Sequence, residues 1–167
     1  QAAIDSALRT LDAERSGIDA LIEALRNGLG HQFAAAVDLI RAAQGRVIVT
    51  GMGKSGHVGH KIASTFASTG TPAMFVHPAE ASHGDMGMVT KVDCVIALSN
   101  SGEATELGDI IAYTRRFSIP LIAITGKNMA KPAFDSVVGD ANRAAGAIDN
   151  TGGRMAASMQ GASFQTA

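Results

Sequence analysis

Two short stretches carry residues whose types and spacing fit anion chemistry. Gly51-Met52-Gly53-Lys54-Ser55-Gly56 sets a lysine and a serine among three glycines, directly after the apolar run Arg46-Val47-Ile48-Val49-Thr50. A buried strand that turns sharply into a helix leaves the first N–H groups of that helix unpaired and aimed at whatever lies ahead. Ser99-Asn100-Ser101-Gly102-Glu103 follows a second apolar run, Asp93 to Leu98, and sets two hydroxyls around an amide. With main-chain donors at a second helix start, such a nest suits a single phosphate monoester. Plain N-capping is the competing account, with Asn100 as the cap and Glu103 completing a capping box. Capping needs only one of these side chains, so the serine pair favours phosphate. Between the two loops, His77-Pro78-Ala79-Glu80-Ala81-Ser82-His83-Gly84-Asp85-Met86-Gly87 gathers two histidines and two carboxylates. No familiar metal-ligand spacing is present there. A single catalytic or sugar-contacting histidine is the more economical reading, set against a solvated loop whose histidines only cap and pack.

Two nucleotide-binding patterns overlap the glycine loop. It matches G-x-G-x-x-G, the dinucleotide fingerprint, which should be followed about 20 residues on by an acid for the ribose hydroxyls. The strand at that distance, Ala73-Met74-Phe75-Val76-His77, ends in Pro78 without a carboxylate, and Glu80 belongs to the next loop. The Walker A pattern would need its first glycine at position 48, which is Ile48 inside the strand. The Walker A reading is set aside, and a nicotinamide-binding domain stays only as the weakest alternative.

The loops require strands and helices to position them. Strands are expected at Arg46–Thr50, Ala73–His77, Asp93–Leu98 and Pro120–Thr125, with a weak fifth at Ser136–Val138. Helices are expected at Ser55–Ser68, at Glu103–Phe117 and after Asn128. The strands are continuous apolar runs, as when both faces of a sheet are covered. Their alternation with helices predicts an α/β protein, a three-layer α/β/α sandwich around a parallel sheet of about five strands. Ahead of it, Ile4, Leu8, Leu11, Ile18, Ile22, Leu25 and Leu29 form one stripe of a long helix, interrupted at Arg15. Gly28 and Gly30 are expected to end that helix, and Phe33, Val37 and Ile40 mark a second one closed by Gln44-Gly45. The stripe packs on its own domain or docks on another subunit, and a projecting N-terminal helix suits a homo-oligomer. The domain reading is an N-terminal helix over 1–30, a ligand domain over 31–140, and a tail over 141–167. That tail is rich in glycine, alanine and small polar residues without periodicity, and is expected to be weakly ordered.

A chain of 167 residues with 46% hydrophobic content and 19 glycines fits one compact α/β domain with a helical appendage. A net charge of −1 gives no electrostatic case for nucleic acid or an anionic membrane. No apolar run reaches the length of a membrane span, and residues 1–5 lack the pattern of a secretory signal. The lone Cys94 lies in an apolar strand, where a buried inert thiol is expected. A cytoplasmic location follows as the expectation.

Assembled, these residues resemble the sugar isomerase (SIS) domain family, and more narrowly the bacterial D-arabinose 5-phosphate isomerases. The resemblance rests on Gly51–His57, Ala67-Ser68-Thr69-Gly70-Thr71-Pro72, His77–Asp85 and Leu98–Glu103, and runs from about Gly45 to Asn128. It implies a flavodoxin-like SIS sandwich, interconversion of D-arabinose 5-phosphate and D-ribulose 5-phosphate for Kdo and lipopolysaccharide synthesis, a homotetramer, and no organic cofactor or metal. Lys54, His83 and Glu106 fall on positions that look catalytic in the family. Gly53, Ser55, Ser99, Asn100 and Ser101 fall in its substrate loops. Ala104 stands where the family usually has a hydroxyl, and Thr105 is the residue that could substitute. The chemistry agrees with these roles. Aldose–ketose isomerisation removes a proton α to a carbonyl and passes through an enediol, so it needs a base and an oxyanion partner. Glu106 suits the first, Lys54 the second, and His83 could move protons between oxygens. The alternative is a SIS module that binds or senses a sugar phosphate without turning it over. After Met129 the family's Glu-Ala-Cys-Pro, Leu-Ala-Pro-Thr and His-Pro-Gly-Gly segments have no match, nor do its second catalytic glutamate, its C-terminal histidine or paired CBS domains. Natural divergence, truncation and a change of reading frame after about residue 129 would each account for this, and the abrupt stop favours the last.

Overall fold

The computed structural model describes residues 1–102 and 104–126, together with the backbone of 158–160. The chain opens with α1 (Ala2–Ala24), passes through a π-helical turn (Leu25–Leu29) and continues as α2 (Gly30–Ala42). It then alternates through β1 (Val47–Gly51), α3 (Lys54–Ser68), β2 (Ala73–Phe75), the short α4 (Pro78–Ser82), a 3-10 turn (Asp85–Met88) and β3 (Cys94–Ser99). A second 3-10 turn (Thr105–Leu107) leads into α5 (Gly108–Phe117), β4 (Leu121–Thr125) and β5 (Ser158–Gln160). All pairings are parallel, in the order β2-β1-β3-β4-β5.

Strand alternation builds three layers. Val47, Val49, Ile96, Leu98 and Ile122 meet Ala36 and Leu39 of α2 and Ala63 of α3 on one side of the sheet. Ile48, Val95, Ala97, Leu121 and Ala123 meet Ala81 of α4, Leu107 and Ile110 and Ile111 of α5 on the other. Because side chains along a strand alternate faces, a run without polar gaps loads both. This is the expected α/β/α sandwich. Each fully buried Ile, Leu or Val contributes about 1.5–3 kcal/mol, so these two clusters dominate the stability of the fold.

Several boundaries differ from the sequence expectation, each for an identifiable reason. Gly28 and Gly30 do not end the first helix. Gly30 takes ordinary right-handed helical angles (φ −56°, ψ −43°), and the π-helical turn before it carries the extra residue. In α2 the buried residues are Ala36 and Leu39, whereas Phe33 and Val37 remain 46% and 36% exposed. The residues that face the sheet are thus offset from the apolar ones that mark the periodicity. The second strand stops at Phe75, because His77 must adopt extended angles before Pro78, which cannot donate to a ladder. The helix expected from Glu103 begins only at Gly108, behind its 3-10 turn. The strand at Ser136–Val138, the helix after Asn128 and the capping role of Glu103 lie outside the described residues. The backbone of Ser158–Gln160, within the segment expected to be weakly ordered, pairs with Ala123–Thr125.

α1 is the other departure. None of its residues is buried, and Ile4, Leu8, Leu11 and Ile18 are each more than half exposed. Among the described residues the stripe is left uncovered from Ile4 to Ile22, and only its end at Leu29 is buried. Arg15, at the break in the stripe, pairs with Asp12 at 3.2 Å on the exposed surface.

At the amino ends of β1 and β3 sits a buried polar staple. The carboxylate of Asp93 accepts the Arg46 and Thr90 backbone N–H groups, each at 2.7 Å, and the Thr90 hydroxyl at 2.9 Å. The Arg46 guanidinium lies 3.7 Å away. Burial alone would raise this carboxyl's pKa, but the hydrogen bonds and the Arg46 charge together hold it below its ordinary 3.8. A depressed carboxylate pKa contributes stability that is complete above the ordinary value and is lost as pH falls through the folded one. Unfolding in urea should therefore show wild-type stability dropping below pH 3.8. Asp93→Asn should flatten that drop and cost about 1.5–3 kcal/mol at neutral pH.

Candidate active site

In the order β2-β1-β3-β4-β5 the chain reverses direction across the sheet between β1 and β3. Parallel α/β folds bind ligands outside the carboxyl ends of their strands at such a reversal. A cleft of about 380 Å³ lies there, lined by Met52, Lys54, Ser55, Leu98, Ser99, Asn100, Ser101 and Ala104.

Local chemistry explains the first wall. Gly53 caps α3 at φ 55° and ψ −124°, which a side chain would make strained. Lys54 and Ser55 are then the first two residues of the helix, where backbone N–H groups have no carbonyl one turn behind them. A β-carbon on Gly56 would sit 2.7 Å from the Gly51 carbonyl oxygen. One on Gly51 would lie 3.1 Å from the Leu98 and Ser55 carbonyl oxygens. The three glycines of the motif thus bring α3 down onto the end of β1 and aim its amino end into the cleft. The helix dipole and the Lys54 ammonium both favour an anion there.

The second wall is built by a turn. Ser99 is buried, and its hydroxyl accepts the Gly102 N–H at 3.1 Å, while Gly102 takes φ 71°. That turn diverts the chain away from a helical path. Asn100 therefore does not cap a helix: the residue ahead of α5 is Leu107. The exposed Asn100 and half-buried Ser101 face the cleft opposite Lys54 and Ser55. Any anion site here draws on one helix amino end and one serine-bearing turn, where two helix ends were expected.

The remaining candidates sit outside the cleft lining. Gly53 shapes the loop through its backbone. Glu106 is exposed on the 3-10 turn, and the Thr105 hydroxyl donates to its carboxylate at 3.3 Å. Ala104 lines the cleft while Thr105 does not. His83 is exposed at the carboxyl end of α4, its N–H bonded to the Glu80 carbonyl at 3.0 Å. α4 packs on α5 and on the turn that carries Glu106. Ser82, beside His83, donates its hydroxyl to Asp109 at 2.7 Å. His77 has a structural part: its Nδ1 accepts the Ala79 N–H at 3.3 Å, and its ring lies 6.4 Å from that of Phe75. The stretch read as a loop is thus one helical turn and a 3-10 turn, set off by His77 and Pro78. Cys94 is buried, which pushes its thiol up to about 11 and leaves it inert. Among the described residues no three His, Cys, Asp or Glu side chains gather into a metal-holding set. No described helix is long and apolar enough to cross a membrane.

Known proteins are similar to this chain in sequence and fold. The arabinose 5-phosphate isomerase KdsD of Pseudomonas aeruginosa is 55% identical over 123 residues, which are 74% of this chain and 36% of that protein. KdsD of Escherichia coli K12 is 53% identical over 108 residues, covering 63% of this chain and 33% of that one. The chain therefore spans about a third of the length of these curated relatives. Among solved structures, the arabinose 5-phosphate complex of E. coli CFT073 c3406 superposes with a TM-score of 0.71 at 30% identity, over 98% of this chain and 78% of that one. The tagatose-6-phosphate ketose/aldose isomerase of E. coli shares the fold, with a TM-score of 0.63 at 23% identity over 90% and 38% of the two chains. Residues 39–139, from the end of α2 past β4, match the SIS domain model, and the chain belongs to the SIS domain family.

Proposed function

We propose that the chain is a sugar-phosphate aldose–ketose isomerase that interconverts D-arabinose 5-phosphate and D-ribulose 5-phosphate. The observation that carries this reading is the cleft in which Lys54 and Ser55 face Ser99, Asn100 and Ser101. Hydroxyls, an amide and a helix amino end around one ammonium suit a phosphate monoester, and about 380 Å³ suits a short sugar. The choice of arabinose 5-phosphate follows the names of the relatives that share this stretch.

In the proposed reaction the phosphate is anchored on Ser55 and the Ser99–Ser101 turn. Glu106 takes the proton from C2 of the open-chain aldose, and the electron pair moves to the C1 carbonyl oxygen. Lys54 stabilises the charge that develops on that oxygen. His83 carries the proton from the O2 hydroxyl to O1, and Glu106 returns its proton to C1, which leaves the 2-ketose. Every proton removed is replaced, so no cofactor is consumed. Run in reverse, the same steps form arabinose 5-phosphate, which fits a supply line to Kdo and lipopolysaccharide in the cytoplasm.

The exposed apolar stripe of α1 supports a homo-oligomer, a tetramer in this reading, in which a second copy covers Ile4, Leu8, Leu11 and Ile18. Purified chain incubated with arabinose 5-phosphate should form ribulose 5-phosphate, and light scattering on the same sample should give a multiple of the 17.1 kDa chain mass. Binding without conversion would favour a sensing module over an enzyme. A monomer would remove the oligomer reading.

A further inference from the structure

We infer that Gly126 positions the cleft residue Asn100 and so sets how tightly the sugar phosphate is held; this inference rests on the sugar-phosphate reading of the cleft. β3 and β4 pair in register up to Ser99 and Thr125, so the next residues along, Asn100 and Gly126, leave the sheet side by side. Asn100 lines the cleft, and Gly126 follows the strand next to it. A β-carbon on Gly126 would lie 2.5 Å from the Asn100 side-chain oxygen, 3.1 Å from its backbone oxygen and 3.4 Å from its amide carbon. The Asn100 amide therefore lies across the face of Gly126, in the volume that any other residue would fill.

Backbone conformation is not the reason for glycine here. Among the described residues the glycines with positive φ are Gly53, Gly70, Gly84 and Gly102, and Gly126 is not one of them. Space is the reason, and the crowded group is chiefly the free end of one side chain. That distinction decides the expected outcome. A side-chain end can rotate away at little cost to folding, but in this case rotation takes the amide off its seat at the mouth of the cleft. Gly126→Ala should therefore act on binding far more than on stability. Gly56, whose β-carbon would meet a backbone carbonyl, offers the opposite case.

The test measures the full chain and its Gly126→Ala, Asn100→Gly and doubly substituted forms. Three quantities are read: the Asn100 side-chain NH2 resonances without ligand, calorimetric affinity for arabinose 5-phosphate and for inorganic phosphate, and the thermal midpoint. Gly126→Ala should shift the Asn100 resonances, weaken arabinose 5-phosphate by about tenfold, and leave the midpoint nearly in place. In the Asn100→Gly background, Ala at position 126 should have little further effect, because the side chain is gone and only the backbone oxygen at 3.1 Å must give by a few tenths of an ångström. Unmoved Asn100 resonances, or an equal penalty with and without the Asn100 side chain, would overturn the proposal. If Gly126→Ala alone fails to fold, recovery on adding Asn100→Gly supports it and continued failure overturns it. If the wild type binds neither anion, the sugar-phosphate reading of the cleft is lost. The ligand-free resonances then still decide whether Gly126 seats Asn100.

Discussion

Glu106→Gln is expected to lower conversion of arabinose 5-phosphate by about a thousandfold while leaving its affinity within a fewfold of wild type. General-base catalysis contributes about 10²–10⁴ in rate, and a thousandfold loss corresponds to about 4 kcal/mol of barrier. Glutamine keeps the size of the side chain and its oxygen acceptor for the Thr105 hydroxyl, so only the capacity to take a proton is removed. The competing account is that Glu106 complements the dipole of the following helix, where it stands two residues ahead of Gly108. That role is worth under about 1 kcal/mol and concerns stability alone. Steady-state kinetics with the ketose product measured directly, beside a urea titration, separates the two. Lost turnover at unchanged stability supports the base, whereas unchanged turnover removes Glu106 from the mechanism.

The second large effect is expected at Gly56. On helix propensity alone, Gly→Ala inside α3 should stabilise by about 1 kcal/mol. Sterics point the other way, because the new β-carbon would lie 2.7 Å from the Gly51 carbonyl oxygen and 3.5 Å from the Phe75 ring. A backbone carbonyl cannot rotate aside, so the helix must lift from β1, and overpacking of this kind costs about 1–3 kcal/mol or more. The steric term wins. We expect Gly56→Ala to lower the urea midpoint, and to weaken phosphate binding by about tenfold or more because Lys54 and Ser55 move with the helix. Gly28→Ala is the control, since its β-carbon meets nothing within 4 Å. It should be neutral or stabilising. A stable, tightly binding Gly56→Ala variant would show that the β1–α3 contact is not what aims the helix.

Much of the local structure around the cleft is legible in the sequence. The glycine loop, the strand before it and the helix after it each lie within a residue or two of their expected bounds, because a β-branched run, three glycines and an amphipathic stretch all point to the same local structure. The serine turn was legible as a donor-rich loop but not as a shape. Ser99 and Gly102 close it through a hydrogen bond and a left-handed glycine, and this replaces the helix start read from Asn100 and Glu103. A Ser-x-x-Gly spacing was the available signal. His77 fits the capping and packing alternative: it caps α4 and packs on Phe75. Gly126 drew no attention as a lone glycine, since its neighbour Asn100 is distant in sequence and adjacent only across two parallel strands.

By itself the sequence determined the fold class and the two loops, because hydrophobic period, glycine placement and donor-rich side chains are local properties. Only the tertiary structure decided which residues meet. Strand order β2-β1-β3-β4 puts the glycine loop and the serine turn at adjacent strand ends, so that Lys54 faces Asn100 although α3, β2, α4 and β3 intervene in the chain. It also decided that the α1 stripe is left uncovered by its own domain among the described residues. Periodicity reports that an apolar face exists; what lies against it depends on long-range packing, which no local pattern encodes.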